Sequence, residues 1–245
     1  MNNLKFLIVL AYYKRPIIVR NALESLKQAN YDNWELDFID DSGDDAFKES
    51  LFGFGLDNSK VKYLPILDSV EQKNLQGGSR HGEYINNSIR NSDADVVIVL
   101  CDDDAILPNY FQDLNTFYNA NPNVGWAYSK VKYYIPSIET YQQAEDNLQR
   151  VQQYGSIVDV NRHTTPINPD CACDASQVTF RRSSFVDKEI WFPYPQTRNL
   201  DSAIYNKMYQ AWGPCYPTGI YGQCKGVFPD QLGCRPTGDF NVNIN

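Results

Sequence analysis

Asp102, Asp103 and Asp104 stand in an unbroken row directly after the apolar run Val96-Val97-Ile98-Val99-Leu100-Cys101. An uncharged run rich in β-branched side chains reads as a strand buried on both faces, as in parallel sheets. Carboxylates massed where such a strand ends lie at its carboxyl edge, where open α/β sheets bind their ligands. Adjacent like charges repel unless water or a cation neutralises them. Two chemistries fit this row. One is capping and solvation ahead of Pro108, which stands at the first turn of the next helix. The other is a divalent cation that carries a phosphorylated ligand.

The elements that position the aspartates alternate along the first half of the chain. Leu4 to Ala11 reads as the first strand, and Pro16 opens a helix to about Ala29 with Val19, Leu23, Leu26 and Ala29 on one stripe. Trp34 to Ile39 is a second strand that ends in the acidic, turn-rich Asp40-Asp41-Ser42-Gly43-Asp44-Asp45. Val61 to Ile66 is a third. Gln76-Gly77-Gly78-Ser79 is a loop before a helix through Ile85 and Ile89, and Val96 to Cys101 is the fourth strand. Pro108 then starts a helix with Phe111, Leu114 and Tyr118 on one face, and Val124 to Ile135 is extended. Such alternation predicts an α/β fold with a doubly wound, mainly parallel sheet. Parallel strands share a direction, so the acidic ends of the second and fourth converge on one cleft.

The second half is less regular. Gln177 to Arg181 reads as a strand, and Leu200 to Trp212 as a helix with Ile204, Met208 and Ala211 inward. The Gly- and Pro-rich tail from Gly213 reads as an irregular wrap or lid. The division expected from these elements is a regular α/β half at 1–135 and a less regular part at 136–245, within one continuous domain.

Composition narrows the classes. A net charge of −8 with no Lys/Arg block argues against an extended nucleic-acid surface or an anionic membrane. No apolar stretch is long enough to span a bilayer. Phe6 to Ala11 is followed by Tyr12-Tyr13-Lys14-Arg15-Pro16 rather than a small-residue cleavage site, which predicts a strand, a cytoplasmic chain and reduced cysteines. Cys171 and Cys173 form one C-x-C pair, whereas zinc sites ordinarily show two, so buried thiols are expected. Neither G-x-G-x-x-G after the first strand nor G-x-x-x-x-G-K-[ST] occurs. Without a glycine cradle for phosphates, a metal at the aspartates gains importance.

In this order the motifs resemble the family-2 glycosyltransferases of the GT-A fold. Ala11-Tyr12-Tyr13-Lys14-Arg15-Pro16 is similar to that family's turn after strand one, and Phe38-Ile39-Asp40-Asp41-Ser42-Gly43 to its Val-Asp-Asp-Gly-Ser segment. Arg80 precedes a helix containing Asn86, Asp102-Asp103-Asp104 with Pro108 is similar to the D-x-D motif, and Arg198-Asn199-Leu200-Asp201 to the segment carrying the catalytic base. The resemblance implies an inverting, metal-dependent transfer of one sugar from a nucleotide-diphosphate sugar, UDP first among nucleotides, to a glycan or other hydroxyl-bearing acceptor. It implies Tyr12 stacking on the nucleobase, Asp41 accepting from its imide N–H, Arg15 and Arg80 on the donor side, and Asp102 at ribose and metal. It places Mn²⁺ or Mg²⁺ on Asp102, Asp103 and Asp104, with the choice between Asp103 and Asp104 as principal ligand open.

For the general base the resemblance implies Asp201, with Asp174 the runner-up. Leu200 stands where the family often has Glu, which keeps alive a non-catalytic sugar-nucleotide or glycan-binding module. A sugar nucleotidyltransferase ranks lower, because the Gly-rich loop of that class is missing after strand one. Trp191, Phe192 and Tyr194 are candidates for stacking on a sugar face, against a plain hydrophobic anchor.

Overall fold

The structure is a computed structural model that describes residues 2–134, 165–170, 173–195 and 200–226. Ile135, Cys171, Arg198, Asn199 and the tail past Gly226 lie outside them. Strand β1 (Phe6–Tyr12) is central, with β2 (Trp34–Asp40) and then β3 (Val61–Pro65) on one side and β4 (Val96–Cys101) on the other. All four run parallel. Beyond β4 come β7 (Val178–Arg181), β6 (Trp126–Tyr134), β8 (Tyr216–Gly226) and β5 (Asp104–Ile106), which complete one 8-stranded mixed sheet. The β6–β8 ladder is again parallel, and β4–β7, β6–β7 and β5–β8 are antiparallel.

Period-2 alternation sorts the strand side chains into two cores. Phe6, Ile8 and Leu10 of β1 with Ile98 and Leu100 of β4 pack against α1 (Val19–Lys27) and α5 (Tyr110–Ala120). Leu7, Val9, Val97 and Val99 point the other way, toward α4 (His81–Asn91) and toward Phe185, Ile204, Tyr205 and Met208. In chain order the short helices α2 (Lys48–Phe52) and α3 (Val70–Leu75) fall between α1 and α4, and α6 (Arg182–Val186) and α7 (Leu200–Trp212) follow α5. Helices therefore cover both faces, the doubly wound arrangement that the alternation predicts. Among the described residues no helix is long and apolar enough to cross a membrane.

Several expectations need correction. Neither Pro16 nor Pro108 opens its helix; a turn in which the Val19 amide donates to the Arg15 carbonyl at 3.1 Å precedes α1. Ala211 is exposed, and Tyr205 takes the inward place on α7. The tail from Gly213 is not a wrap up to Gly226, because β8 inserts between β6 and β5. Pro217, Gly219 and two register shifts against β6 mask that strand in the sequence.

One glycine fixes how close β8 lies to α5. A Cβ on Gly222 would fall 2.2 Å from the ring of buried Tyr110. Gly222→Ala is expected to destabilise the protein by about 1–3 kcal/mol, the usual cost of overpacking. Urea denaturation checks it, and an unchanged midpoint would mean that the strand yields freely there.

Candidate active site

Strand register brings the acidic ends together. Tyr12 is paired with Asp40 across β1–β2, and Ala11 with Cys101 across β1–β4. The turn after β1, the Asp41 turn after β2 and the aspartates after β4 thus leave the sheet side by side on its carboxyl edge. The Asp41 amide donates to the Tyr12 carbonyl at 2.9 Å, tying the first two turns together.

Arg15 binds the aspartates. Its Nε donates to Asp102 Oδ2 at 3.2 Å, its Nη1 to Asp103 Oδ2 at 3.1 Å, and its Nη2 to Asp102 Oδ1. The Tyr13 amide adds a contact to Asp102 Oδ2 at 3.3 Å. Burial pushes the Asp102 carboxyl up to about 7 even though Arg15 pulls the other way. This fork of N–H donors on carboxylate is a charge-assisted, planar match.

Asp104 opens β5 and has a different neighbourhood. It is buried, Ser176 Oγ donates to its Oδ2 at 2.6 Å, and Lys225 Nζ lies 3.9 Å from its Oδ1. Asp104 and Lys225 are register partners across β5–β8. The same ammonium pairs with Asp174. Burial drives the Asp104 pKa up, opposed by Lys225. For Lys225 burial pulls its pKa down, but Asp104 and Asp174 more than offset that, so the amine stays charged. Cys101, Asp104 and Asp174 each bring one ligand atom within 4.8 Å of the others. Lys225 holds those carboxylates, and burial raises the Cys101 thiol well above its ordinary value, which disfavours the thiolate.

Asp41 is packed, with 7% exposure, rather than sitting in an open turn. Lys73 Nζ lies 2.7 Å from its Oδ1, and Ser79 Oγ donates to Oδ2 at 2.8 Å. Beside them His81 keeps a buried Nε2 that has no hydrogen-bond partner among the described residues, and burial lowers its pKa.

The other residues singled out from the sequence divide between core and surface. Tyr12 is 4% exposed, its ring stacked on Phe47 at 4.7 Å and tilted against Phe38 at 5.4 Å, so the ring belongs to the core. Its neighbour Tyr13 is half-buried, with Lys14 and Lys73 each 5.6 Å from the ring. Arg80, just ahead of α4, donates from Nη2 to Glu83 of that helix at 2.8 Å, and its guanidinium lies over Tyr84. Phe192 is a buried anchor against Phe185, and Trp191 lies under the Arg90 guanidinium at 4.0 Å; Tyr194 remains exposed.

Asp201 lies in the first turn of α7 and accepts from the Ser202 amide at 2.8 Å. Burial raises its pKa; the Ser202 amide opposes this, and the charges of Asp174 and Asp170 add to it. Asp170 itself is held by Ser202 Oγ at 2.6 Å and Asn206 Nδ2 at 2.9 Å. From Asp201 a chain of interacting charges runs through Asp174 and Lys225 to Asp104.

Lys73, Ser79, Ser176 and Lys225 escaped the sequence reading. A lone Lys in a Gly-rich tail carries no local signal of burial. Alternation within Ile220-Tyr221-Gly222-Gln223-Cys224-Lys225 was the trace of the strand that delivers Lys225.

The donor chemistry suits a hard divalent cation. Asp102 and Asp103 offer oxygens only, the preference of Mg²⁺ and Mn²⁺. An arginine already neutralises them here, a stand-in for positive charge at that point.

Comparison with solved structures gives the same architecture. The fold matches residues 1–349 of S. aureus TarS at a TM-score of 0.63 and 15% identity, over 91% of this chain and 60% of that one. It matches the same TarS fragment in complex with UDP-GlcNAc at 0.59 and 15%, over 91% and 58%. The mannosyltransferase PcManGT from Pyrobaculum calidifontis, in complex with GDP-Man and Mn²⁺, matches at 0.59 and 12%, over 95% and 59%. This chain thus spans about 60% of the TarS fragment's length. No curated protein matches it in sequence. The model of the family described as glycosyl transferase family 2 matches residues 7–185, and the chain belongs to that family.

Proposed function

We propose that this protein transfers one sugar from a nucleotide-diphosphate sugar, a UDP-sugar first, to an acceptor hydroxyl with inversion, and that Mn²⁺ or Mg²⁺ serves the reaction. The observation that carries this reading is the convergence of Arg15, Asp41, Asp102 and Asp103 on one carboxyl edge, in a chain of this family. Residues 1–135 form the donor half, and 136–245 contribute the acceptor side.

Asp102 and Asp103 would hold the metal, because Asp104 is taken by Ser176 and Lys225. A divalent ion bound there supplies Lewis-acid stabilisation of the leaving diphosphate. Asp41 receives the nucleobase edge and is kept in place by Ser79. Asp201 takes the proton from the acceptor hydroxyl as that oxygen attacks the anomeric carbon. Asp174 is the weaker candidate for this role because Lys225 engages its carboxylate. A carboxyl raised by burial is the better proton acceptor near neutral pH. Tyr12 stays in the core against Phe47, and Arg80 stays with Glu83.

Asp41→Asn keeps the packed shape but removes the charge. It is expected to weaken UDP binding by about tenfold, the scale of one charge-assisted hydrogen bond. Calorimetry checks it, and an unchanged Kd would return Asp41 to a purely structural role.

Leu200 in place of the family's Glu favours a second reading, a sugar-nucleotide-binding module without turnover. Incubation with a panel of UDP- and GDP-sugars, Mn²⁺ and mixed glycan acceptors separates the two. Release of nucleoside diphosphate with sugar appearing on an acceptor supports the transferase. Saturable binding without release from any donor supports the module.

A further inference from the structure

We propose that Arg15 is an exchange cation, bound to Asp102 and Asp103 in the free protein and passed to the donor's diphosphate when a divalent metal takes those carboxylates. This rests on the donor and metal reading above. It adds a positioning role for Arg15 and an order of events.

The contacts define the competition. Arg15 covers Asp102 Oδ1, Asp102 Oδ2 and Asp103 Oδ2 with its three nitrogens. A metal held by both aspartates would compete with Arg15 for these carboxylates. A guanidinium and a divalent ion on one carboxylate pair also repel each other. In this exchange Arg15 gives up its contacts as a metal takes both carboxylates.

It has somewhere to go. Arg15 stands in the turn after β1, with 29% of its side chain exposed, whereas the side chain of Asp102 is 3% exposed. The guanidinium thus lies on the open side of the carboxylates, where a nucleotide at the carboxyl edge places its phosphates. The planar fork that fits a carboxylate also fits a phosphate bidentately. Lys225 is the contrasting cation. Its side chain is 14% exposed, it is fixed by the β5–β8 register, and it is shared between Asp104 and Asp174. That ammonium stays as a permanent counter-charge, while Arg15 moves.

Exchange couples the two ligands. Metal alone must break three Arg15 contacts without a replacement, so its affinity for the free protein is low. With a diphosphate present the guanidinium gains new partners, and metal and nucleotide bind cooperatively.

The test is calorimetric titration of the full chain with Mn²⁺ alone, with UDP in EDTA, and with UDP in saturating Mn²⁺. Wild type is compared with Arg15→Ala and Arg15→Lys, each checked by thermal melting. In Arg15→Ala, Mn²⁺ alone is expected to bind about tenfold more tightly, with the enhancement of Mn²⁺ affinity by UDP reduced by about tenfold. Arg15→Lys keeps the charge but loses the fork, so it should show the same two changes to a smaller degree. It carries the test if the alanine variant does not fold. Unchanged or weaker Mn²⁺ binding in both variants, with wild type showing metal–UDP cooperativity, overturns the exchange and leaves the metal reading standing. Wild type binding UDP equally in EDTA and in Mn²⁺ overturns the metal reading and the exchange with it.

Discussion

Asp201→Asn is expected to lower turnover by about 10²- to 10⁴-fold, the usual contribution of a positioned general base. Donor and metal binding should remain, because Asp201 sits on α7 with the Ser202 amide as its donor, while Asp102 and Asp103 are held by Arg15. Stability should hardly change. Asn accepts at a helix start about as well as Asp, and the local contact is with the Ser202 amide at 2.8 Å. A purely structural Asp201 would therefore give near-normal turnover in this variant. The pH profile adds an independent mark. A base works deprotonated, so the wild-type rate rises with pH through its ionisation. Burial places that ionisation above the ordinary value of 3.8. The variant should lose this rising limb. Steady-state kinetics from pH 4.5 to 8.5 check both, and near-wild-type transfer would move the base to Asp174.

Lys225→Met is expected to destabilise the protein by about 3–5 kcal/mol at pH 8, the scale for removing one partner of a buried ion pair. The ammonium serves Asp104, which is 1% exposed, and Asp174. Methionine fills most of the volume, so the loss reports charge rather than packing. The sign with pH follows from Asp104. Its folded pKa lies above the ordinary 3.8 because of burial. Folding therefore favours the protonated form, and this stability is present at low pH and lost as pH rises through the folded value. Without Lys225 that value climbs further, so the deficit should shrink between pH 8 and pH 5.5. Adding Asp104→Asn to Lys225→Met should recover much of the loss. Urea denaturation of the single and double variants at both pH values measures this, and an equal loss at both would contradict a charge origin.

The parallel half of the fold was legible because its signals are local. Val96 to Cys101 is uninterrupted by charge or turn residues, and its expected ends coincide with β4. Val19, Leu23 and Leu26 keep helical spacing and are buried in α1. Convergence of the acidic turns followed from strand direction alone, and the register of β1 with β2 and β4 bears it out.

What was not legible depends on contacts distant in sequence. Asp104 reads as one of three equal aspartates, yet it begins β5 and is claimed by Lys225 and by Ser176, 72 residues further along the chain. Tyr12 and Tyr13 are adjacent and chemically alike. Strand pleat sends Tyr12 into the core against Phe47, while Tyr13 stays half-buried. That difference turns on where β1 ends, a boundary the sequence placed one residue early at Ala11. Asp41 looked like a turn residue because Ser42 and Gly43 follow it, but Lys73 and Ser79, which come after β3 in the chain, pack against its carboxylate.

The most direct measurement is an anomalous difference map from crystals grown with Mn²⁺ and UDP. A manganese peak within coordination distance of Asp102 and Asp103, bridging to the diphosphate, with the uracil edge on Asp41, is the predicted result. A peak at Cys101, Asp104 and Asp174, or UDP bound away from the carboxyl ends of β1, β2 and β4, would contradict it.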